Sequence, residues 1–357
     1  MIRLPRLIII SAMSLLFSLS APAALAQQTE DFTVGLDLLA LERFEDAHTV
    51  FQQLMPLGSS DAAYMIGLML IEERGVEYNP VASLGYLFAA RAWGNEQAQE
   101  IIEQIEPHLS AAEKAEANQL LLELNRSVQV SFQAEDLNLD MPPPEAINRP
   151  TPRMTSEVAL SGNHGWLEVI IGINPEGRVV AMQPLNAADR NFLREAGRAF
   201  QRWRYTESEN VSITTVSINY TQMSSDAEAD VLSAYNDALN QANAGVTEQQ
   251  VYLGGLTEAL VRYESEQIDA LPEAFYWYER AARNGNIQAQ RLLALRYVHP
   301  AWAEYLITQG DIDVMAWHGM RLLMHAESAE QRERGRELLE NAAEAGSSIA
   351  EELIESY

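Results

Sequence analysis

The sequence predicts a multidomain fold in which arrays of α-helical hairpins flank a small α+β domain. Three observations predict it. A small residue, a glycine eleven positions on and an alanine fifteen positions on recur in the N-terminal and C-terminal parts of the chain. Acidic residues are concentrated in the same two parts. Between them lies a charge-neutral stretch whose apolar pattern shifts from helix period to strand period.

The spacing occurs at Ala47/Gly58/Ala62, Ala274/Gly285/Ala289 and Gly335/Gly346/Ala350, and at Ala82/Gly94/Ala98 with one extra residue. Positions seven and eight are Ala89-Ala90, Ala281-Ala282 and Ala342-Ala343 in three copies and Leu54-Met55 in the fourth. Offsets of four, seven, eight and eleven share one helix face. Small side chains on that face let two helices pack closely. The glycine suits a left-handed cap, and the alanine falls in the next helix. One hairpin cannot bury its own apolar face, so neighbours must stack.

The stretch "DAAYMIGLMLIEERGVEYNPVASLGYLFAARAWGNEQA" (61–98) resembles the Sel-one-like subfamily of tetratricopeptide-like repeats, through Gly67-Leu68, Gly75-Val76 and Asn79-Pro80 leading to Ala82. "EAFYWYERAARNGNIQAQRLLALRY" (273–297) resembles its second helix and turn. The resemblance implies a tetratricopeptide-like solenoid that serves as a scaffold for protein contacts, without catalysis. Phe275, Tyr276, Trp277 and Tyr278 then read as repeat core, and Gly67 and Gly75 as packing and turn positions.

In the middle, "MPPPEAINRPTPRM" (141–154) favours an extended lead-in. "GWLEVIIGI" from Gly165 is strand-like, "NPEG" ending at Gly177 is a turn, and "RVVAMQPLN" is a return strand. Pro184 marks that strand's end or an edge. Residues 187–203 carry helix spacing through Phe192, Ala196, Ala199 and Trp203. "NVSITTVSINY" (210–220) alternates through Val211, Ile213, Val216, Ile218 and Tyr220, and its break at Thr214-Thr215 reads as a bulge.

These motifs resemble the C-terminal domain of TonB-family energy transducers: prolines (Pro150, Pro152), a strand opening on Gly165, a turn on Gly177, a helix ending in Trp203-Arg204-Tyr205, and a last strand. The resemblance covers about residues 145–222. It implies a small sheet with helices on one face, and partner recognition by pairing of a short segment with an exposed strand edge. The expected partner-binding edge is Val211, Ile213, Thr215, Ser217 and Asn219; Gly165, Gly177, Trp203 and Tyr205 are expected to be structural. The chain departs from the family in three ways. The N-terminal apolar run lacks histidine, Lys114 is the only lysine, and the α+β domain is internal.

The N-terminus has Arg3 and Arg6, an apolar run, and Ala24-Leu25-Ala26 before Gln27. That is the layout of a secretory signal peptide. The expected order is a signal peptide at 1–26, helical repeats at 27–126, a linker at 127–149 that is Pro-rich at 142–144, a TonB-like domain at 150–222 and repeats at 223–357. The mature chain is expected in a bacterial periplasm with no membrane span after cleavage. The alternative is an uncleaved signal anchor in the inner membrane.

Charge narrows the function. Residues 27–144 hold 20 acids and 5 bases, 145–222 hold 8 of each, and 223–357 hold 23 acids and 9 bases. A net charge of -27 argues against nucleic-acid binding, and the absence of cysteine removes disulfides and thiolate chemistry. The histidines His48, His108, His164, His299, His318 and His325 form no H-E-x-x-H pair, and no G-x-S-x-G or phosphate-loop motif occurs. No catalytic, metal or cofactor site is expected. The expectation is a non-enzymatic interaction protein with protein partners. The alternatives are a TonB-type energy transducer for transport through outer-membrane receptors, and an enzyme or cell-envelope factor without a recognisable motif.

Overall fold

The computed structural model describes residues 31–130, 144–153, 165–187, 190–220, 227–262 and 271–357. The expected signal peptide, His164 and most of the expected linker lie outside the described residues. The chain divides into two compact units. One takes Met1–Met55 and Ser59–Ser127, the other Pro56–Gly58 and Val128–Tyr357.

The first unit contains α1 (Phe32–Ala40), α2 (Phe44–Leu54), α3 (Ser60–Glu72), α4 (Pro80–Ala92), α5 (Gln97–Ile105) and α6 (Ala111–Ser127). Gly58 and Gly94 turn the chain at φ 72° and 105°, a region glycine enters without steric cost. The residue after each glycine caps the next helix. Ser59 Oγ accepts the Ala62 N–H at 3.0 Å, and the Asn95 side chain accepts that of Ala98 at 3.2 Å. Helices α3 and α4 touch through Gly67, where a Cβ would lie 2.8 Å from Leu87 Cγ. Ser83 Oγ donates to the Gly67 carbonyl at 2.6 Å. Ala47, Ala62 and Ala98 of the repeating spacing are fully buried.

The second unit contains α7 (Arg190–Phe200), α8 (Ala227–Asn243), α9 (Thr247–Arg262), α10 (Ala274–Arg283), α11 (Ile287–Leu295), α12 (Pro300–Thr308), α13 (Ile312–His325), α14 (Ala329–Glu344) and α15 (Ser348–Ser356). Gly285 and Gly346 turn at positive φ, and Asn286 and Ser347 cap α11 and α15. Two further hairpins turn on a glycine at positive φ, one of them with the side-chain cap. Gly245 joins α8 to α9, and Gly310 precedes Asp311, whose side chain caps α13. Both chain arms are therefore helical-hairpin arrays. Of the aromatics expected in the repeat core, Trp277 and Tyr278 are buried and Phe275 is half-buried, while Tyr276 is exposed. Tyr276 therefore falls outside the core, its ring 5.1 Å from that of Trp277 at the core's margin.

The strands are β1 (Ala146–Asn148), β2 (Gly165–Ile173), β3 (Val179–Ala187), β4 (Arg204–Tyr205) and β5 (Ser212–Tyr220). β2, β3 and β5 form an antiparallel sheet in the order β3-β2-β5, and β1 pairs with β4. The turn between β2 and β3 closes with Gly177 N–H donating to the Asn174 carbonyl at 2.9 Å, Gly177 being at φ 73°. β3 runs through Pro184 to Ala187 as an edge strand. The register skips Leu185 beside the proline, a bulge that accommodates the missing amide donor.

Helix α7 covers one face of the sheet. Leu167, Val169, Ile171, Ile173 and Val216 pack there against Phe192, Ala196, Phe200 and Trp203. The other face is covered as well, where the resemblance to the TonB C-terminal domain implied helices on one face only. Trp166 lies against α8, α9 and α10, and a Cβ on Gly255 would overlap its indole ring. Gly172 sits under Leu353 and Trp317. Burial on both faces explains why "GWLEVIIGI" reads as a continuous apolar run. The boundary expected at 222 thus separates kinds of secondary structure, while the sheet and the helices after it share one packing unit.

The expected bulge at Thr214-Thr215 does not form. β5 pairs with β2 without a register break from Gly165↔Tyr220 to Ile173↔Ser212. Ile213 lies opposite Gly172 and Val216 opposite Val169, on different faces of the sheet. The apolar alternation changes phase because both faces are buried, so an apolar residue is accommodated on either.

Candidate functional site

The lead-in segment 144–150 is held by backbone and ring contacts. The Thr206 N–H donates to the Glu145 carbonyl at 2.8 Å, and Trp203 Nε1 donates to the Pro150 carbonyl at 3.0 Å. The Arg149 guanidinium lies 4.4 Å from the centroid of the Trp203 ring, a cation–π distance. Trp203 is buried, Arg202 is exposed and Arg204 is half-buried. The basic-aromatic triplet is therefore an anchor for the lead-in and the end of α7. A Cβ on Gly177 would overlap the Tyr205 carbonyl, and the Tyr205 N–H donates to Gly177 O at 2.9 Å. Glycine is required there both by its φ and by this close approach.

Between the lead-in and β5 lies a cavity of about 370 Å³, within the size range of ligand pockets. It is lined by Pro144, Glu145, Ala146 and Arg149 of the lead-in, by Tyr205, and by Thr214–Ser217 of β5. Among the described residues β5 pairs only with β2, so its outer edge faces this cavity. Tyr205 is 3 % exposed, and its hydroxyl has no hydrogen-bond partner among the described residues. Burial raises its pKa, and the Arg149 charge works the other way.

The sequence-expected edge residues divide. Val211 precedes β5 and is buried, and Ile213 is buried on the face toward the C-terminal helices. Thr215 and Ser217 line the cavity. Asn219 pairs with Trp166 in the ladder, and Gly165 with Tyr220. Arg149 was not singled out by sequence; it shows only as one arginine in a proline-rich stretch.

A buried polar cluster adjoins the sheet. Ser217 Oγ donates to Glu168 Oε1 at 3.1 Å, and Arg296 Nη2 meets the same oxygen at 3.2 Å. Arg296 also pairs with Glu258, and the Tyr297 hydroxyl donates to Glu258 at 2.9 Å. Burial disfavours the Arg296 charge, but Glu168 and Glu258 outweigh it and raise its pKa. Burial, then Glu258, raises the Tyr297 pKa. Tyr278 is pushed well above the usual phenol range by burial and the same two carboxylates. Its hydroxyl accepts a long bond from Asn186. This is a structural ion-pair network. The signal that could have found it is Glu168, a charge inside an otherwise apolar strand.

His318 and His325 lie on α13. Burial lowers the His318 pKa to about 4. Among the described residues no group of three or more His, Asp or Glu is placed to hold a metal ion, and no helix is long and apolar enough to cross a membrane.

No protein family matches the chain, and no curated protein matches it. A solved structure is similar: a protective antigen present in uropathogenic Escherichia coli strains, displaying an SLR fold. It is 15% identical, with a TM-score of 0.24. The match covers 89% of this chain and 62% of that chain, so this chain spans less than two thirds of its length.

Proposed function

We propose that this chain is a non-enzymatic interaction protein of the bacterial periplasm. Its helical hairpins act as a scaffold for protein partners. The α+β part, in line with its resemblance to the TonB C-terminal domain, takes an extended partner segment by strand addition at β5. The observation that carries the reading is the outer edge of β5, unpaired among the described residues and opening onto a cavity. Main-chain donors and acceptors on such an edge bind an extended segment with little demand on its sequence.

Adjacent proline substitutions test it. In an antiparallel ladder neighbouring residues alternate between facing the paired strand and facing away. Of Thr214→Pro and Thr215→Pro, one removes a donor facing β2 and the other a donor facing the cavity. A benzophenone side chain at Ala146, exposed on the cavity wall, identifies a periplasmic partner, which is then purified. The proline variant that keeps the wild-type circular dichroism should bind that partner about tenfold more weakly, the scale of one or two main-chain hydrogen bonds. Unchanged affinity in the folded variant refutes docking at β5.

A further inference from the structure

We propose that the turn between α11 and α12 is a strained hinge, on which α12–α15 open from the sheet as one unit.

The strain shows by comparison within the chain. At Gly58-Ser59, Gly285-Asn286, Gly310-Asp311 and Gly346-Ser347, a glycine at positive φ precedes the residue whose side chain caps the next helix. The same two places before α12 hold Val298 and His299. Val298 stands at φ 52°, and His299 makes no side-chain cap bond. Val298 is the one β-branched residue at positive φ among the described residues. A side chain of that kind fits the left-handed region worst, because its Cβ crowds the following carbonyl. Such a conformation persists only where the surroundings over-determine it.

Those surroundings grip the turn from both sides. Before Val298, Arg296 pairs with Glu168 at 3.2 Å and with Glu258, and the Tyr297 hydroxyl donates to Glu258 at 2.9 Å. After it, His299 is buried, and its ring stacks on Phe275 with centroids 6.5 Å apart. The His299 N–H donates to the Leu293 carbonyl at 3.0 Å. Pro300 opens α12 and disfavours helical dihedrals at His299. With the sheet, α9 and α10 holding its neighbours, Val298 has no room to relax.

Beyond the turn, Trp317 of α13 and Leu353 of α15 lie over Gly172 of the sheet. Trp317 Nε1 donates to Gln183 Oε1 at 2.6 Å, and Trp302 Nε1 of α12 donates to Glu279 Oε2 at 2.8 Å. The strain is carried by the closed form alone, so it lowers the cost of parting these contacts. Opening uncovers the sheet face at Gly172.

Native-state amide exchange of the full chain, read by mass spectrometry, tests the hinge. Peptides from α12–α15 are expected to exchange through a shared opening, faster than those from α8–α11 and β2. Val298→Gly should slow that exchange about tenfold, or about 1.4 kcal/mol of relieved strain, and leave α8–α11 unchanged. Val298→Ala, which keeps a Cβ, should slow it less. Tyr297→Phe loosens the grip, so the gain from Val298→Gly should shrink in that background. Uniform exchange across the second unit of the wild type overturns the hinge. So does a Val298→Gly variant that exchanges no more slowly, or one in which α8–α11 slow equally. Val298→Ala matching Val298→Gly overturns the assignment of strain, and full additivity with Tyr297→Phe overturns the grip.

Discussion

The carboxylate of Glu168, fully buried in the central strand, meets the guanidinium of Arg296 at 3.2 Å. This pair joins the sheet to the end of α11, and Arg296 also takes Glu258 from α9. Removing one partner leaves a buried charge uncompensated, which typically costs about 3–5 kcal/mol. Arg296→Met should therefore destabilise the second unit by about 3 kcal/mol in denaturant titration. Adding Glu168→Gln should restore part of that loss. A double variant less stable than Arg296→Met would show that the two charges do not compensate each other.

Gly255 should be irreplaceable for a packing reason. The Trp166 ring rests on the α9 backbone where a side chain would stand. Gly255→Ala gains helix propensity of up to about 1 kcal/mol, yet overpacking at such a contact costs about 1–3 kcal/mol. Net destabilisation with a shifted tryptophan emission is expected. An unshifted spectrum with raised stability would mean the ring is free to move.

Two glycines at positive φ should differ. A Cβ on Gly94 meets nothing within 4 Å, whereas one on Gly177 overlaps the Tyr205 carbonyl. Gly94→Ala carries only backbone strain, about 1–2 kcal/mol. Gly177→Ala carries that strain and also displaces β4, so its melting temperature should fall further. Amide exchange should rise at Tyr205, whose N–H donates to Gly177 O.

His318 gives the second unit a dependence on pH. Burial lowers its pKa from 6.5 to about 4. Between these values the unfolded chain holds a proton that the folded chain does not, so stability falls as pH drops from 6.5 to 4 and the effect saturates below. The shift corresponds to at most about 3 kcal/mol. His318→Gln should flatten the stability profile over pH 4–6.5 relative to wild type. A variant with the same slope as wild type would assign the dependence to other groups.

The hairpins were legible because their physics is local. A glycine at positive φ followed by a capping side chain is written in adjacent residues, as in Gly58-Ser59, Gly285-Asn286 and Gly346-Ser347. The turns at Gly245 and Gly310 escaped the pattern because Gln249 and Val314 stand where the other copies carry alanine. Both turns survive that change, and so does the Asp311 cap, since neither depends on the later position.

The sequence by itself determined the helical hairpins, the turn at Gly177, and the strand–turn–strand–helix–strand order of the middle region. These follow from backbone preference and apolar period within a few residues. Only the tertiary structure decided that the sheet is buried on both faces and that Ile213 and Val216 point opposite ways. It also decided that Arg149, Tyr205 and Thr215 converge on one cavity. Those outcomes depend on which distant side chains share space, Gly255 with Trp166 and Arg296 with Glu168, and residue spacing along the chain does not encode that distance.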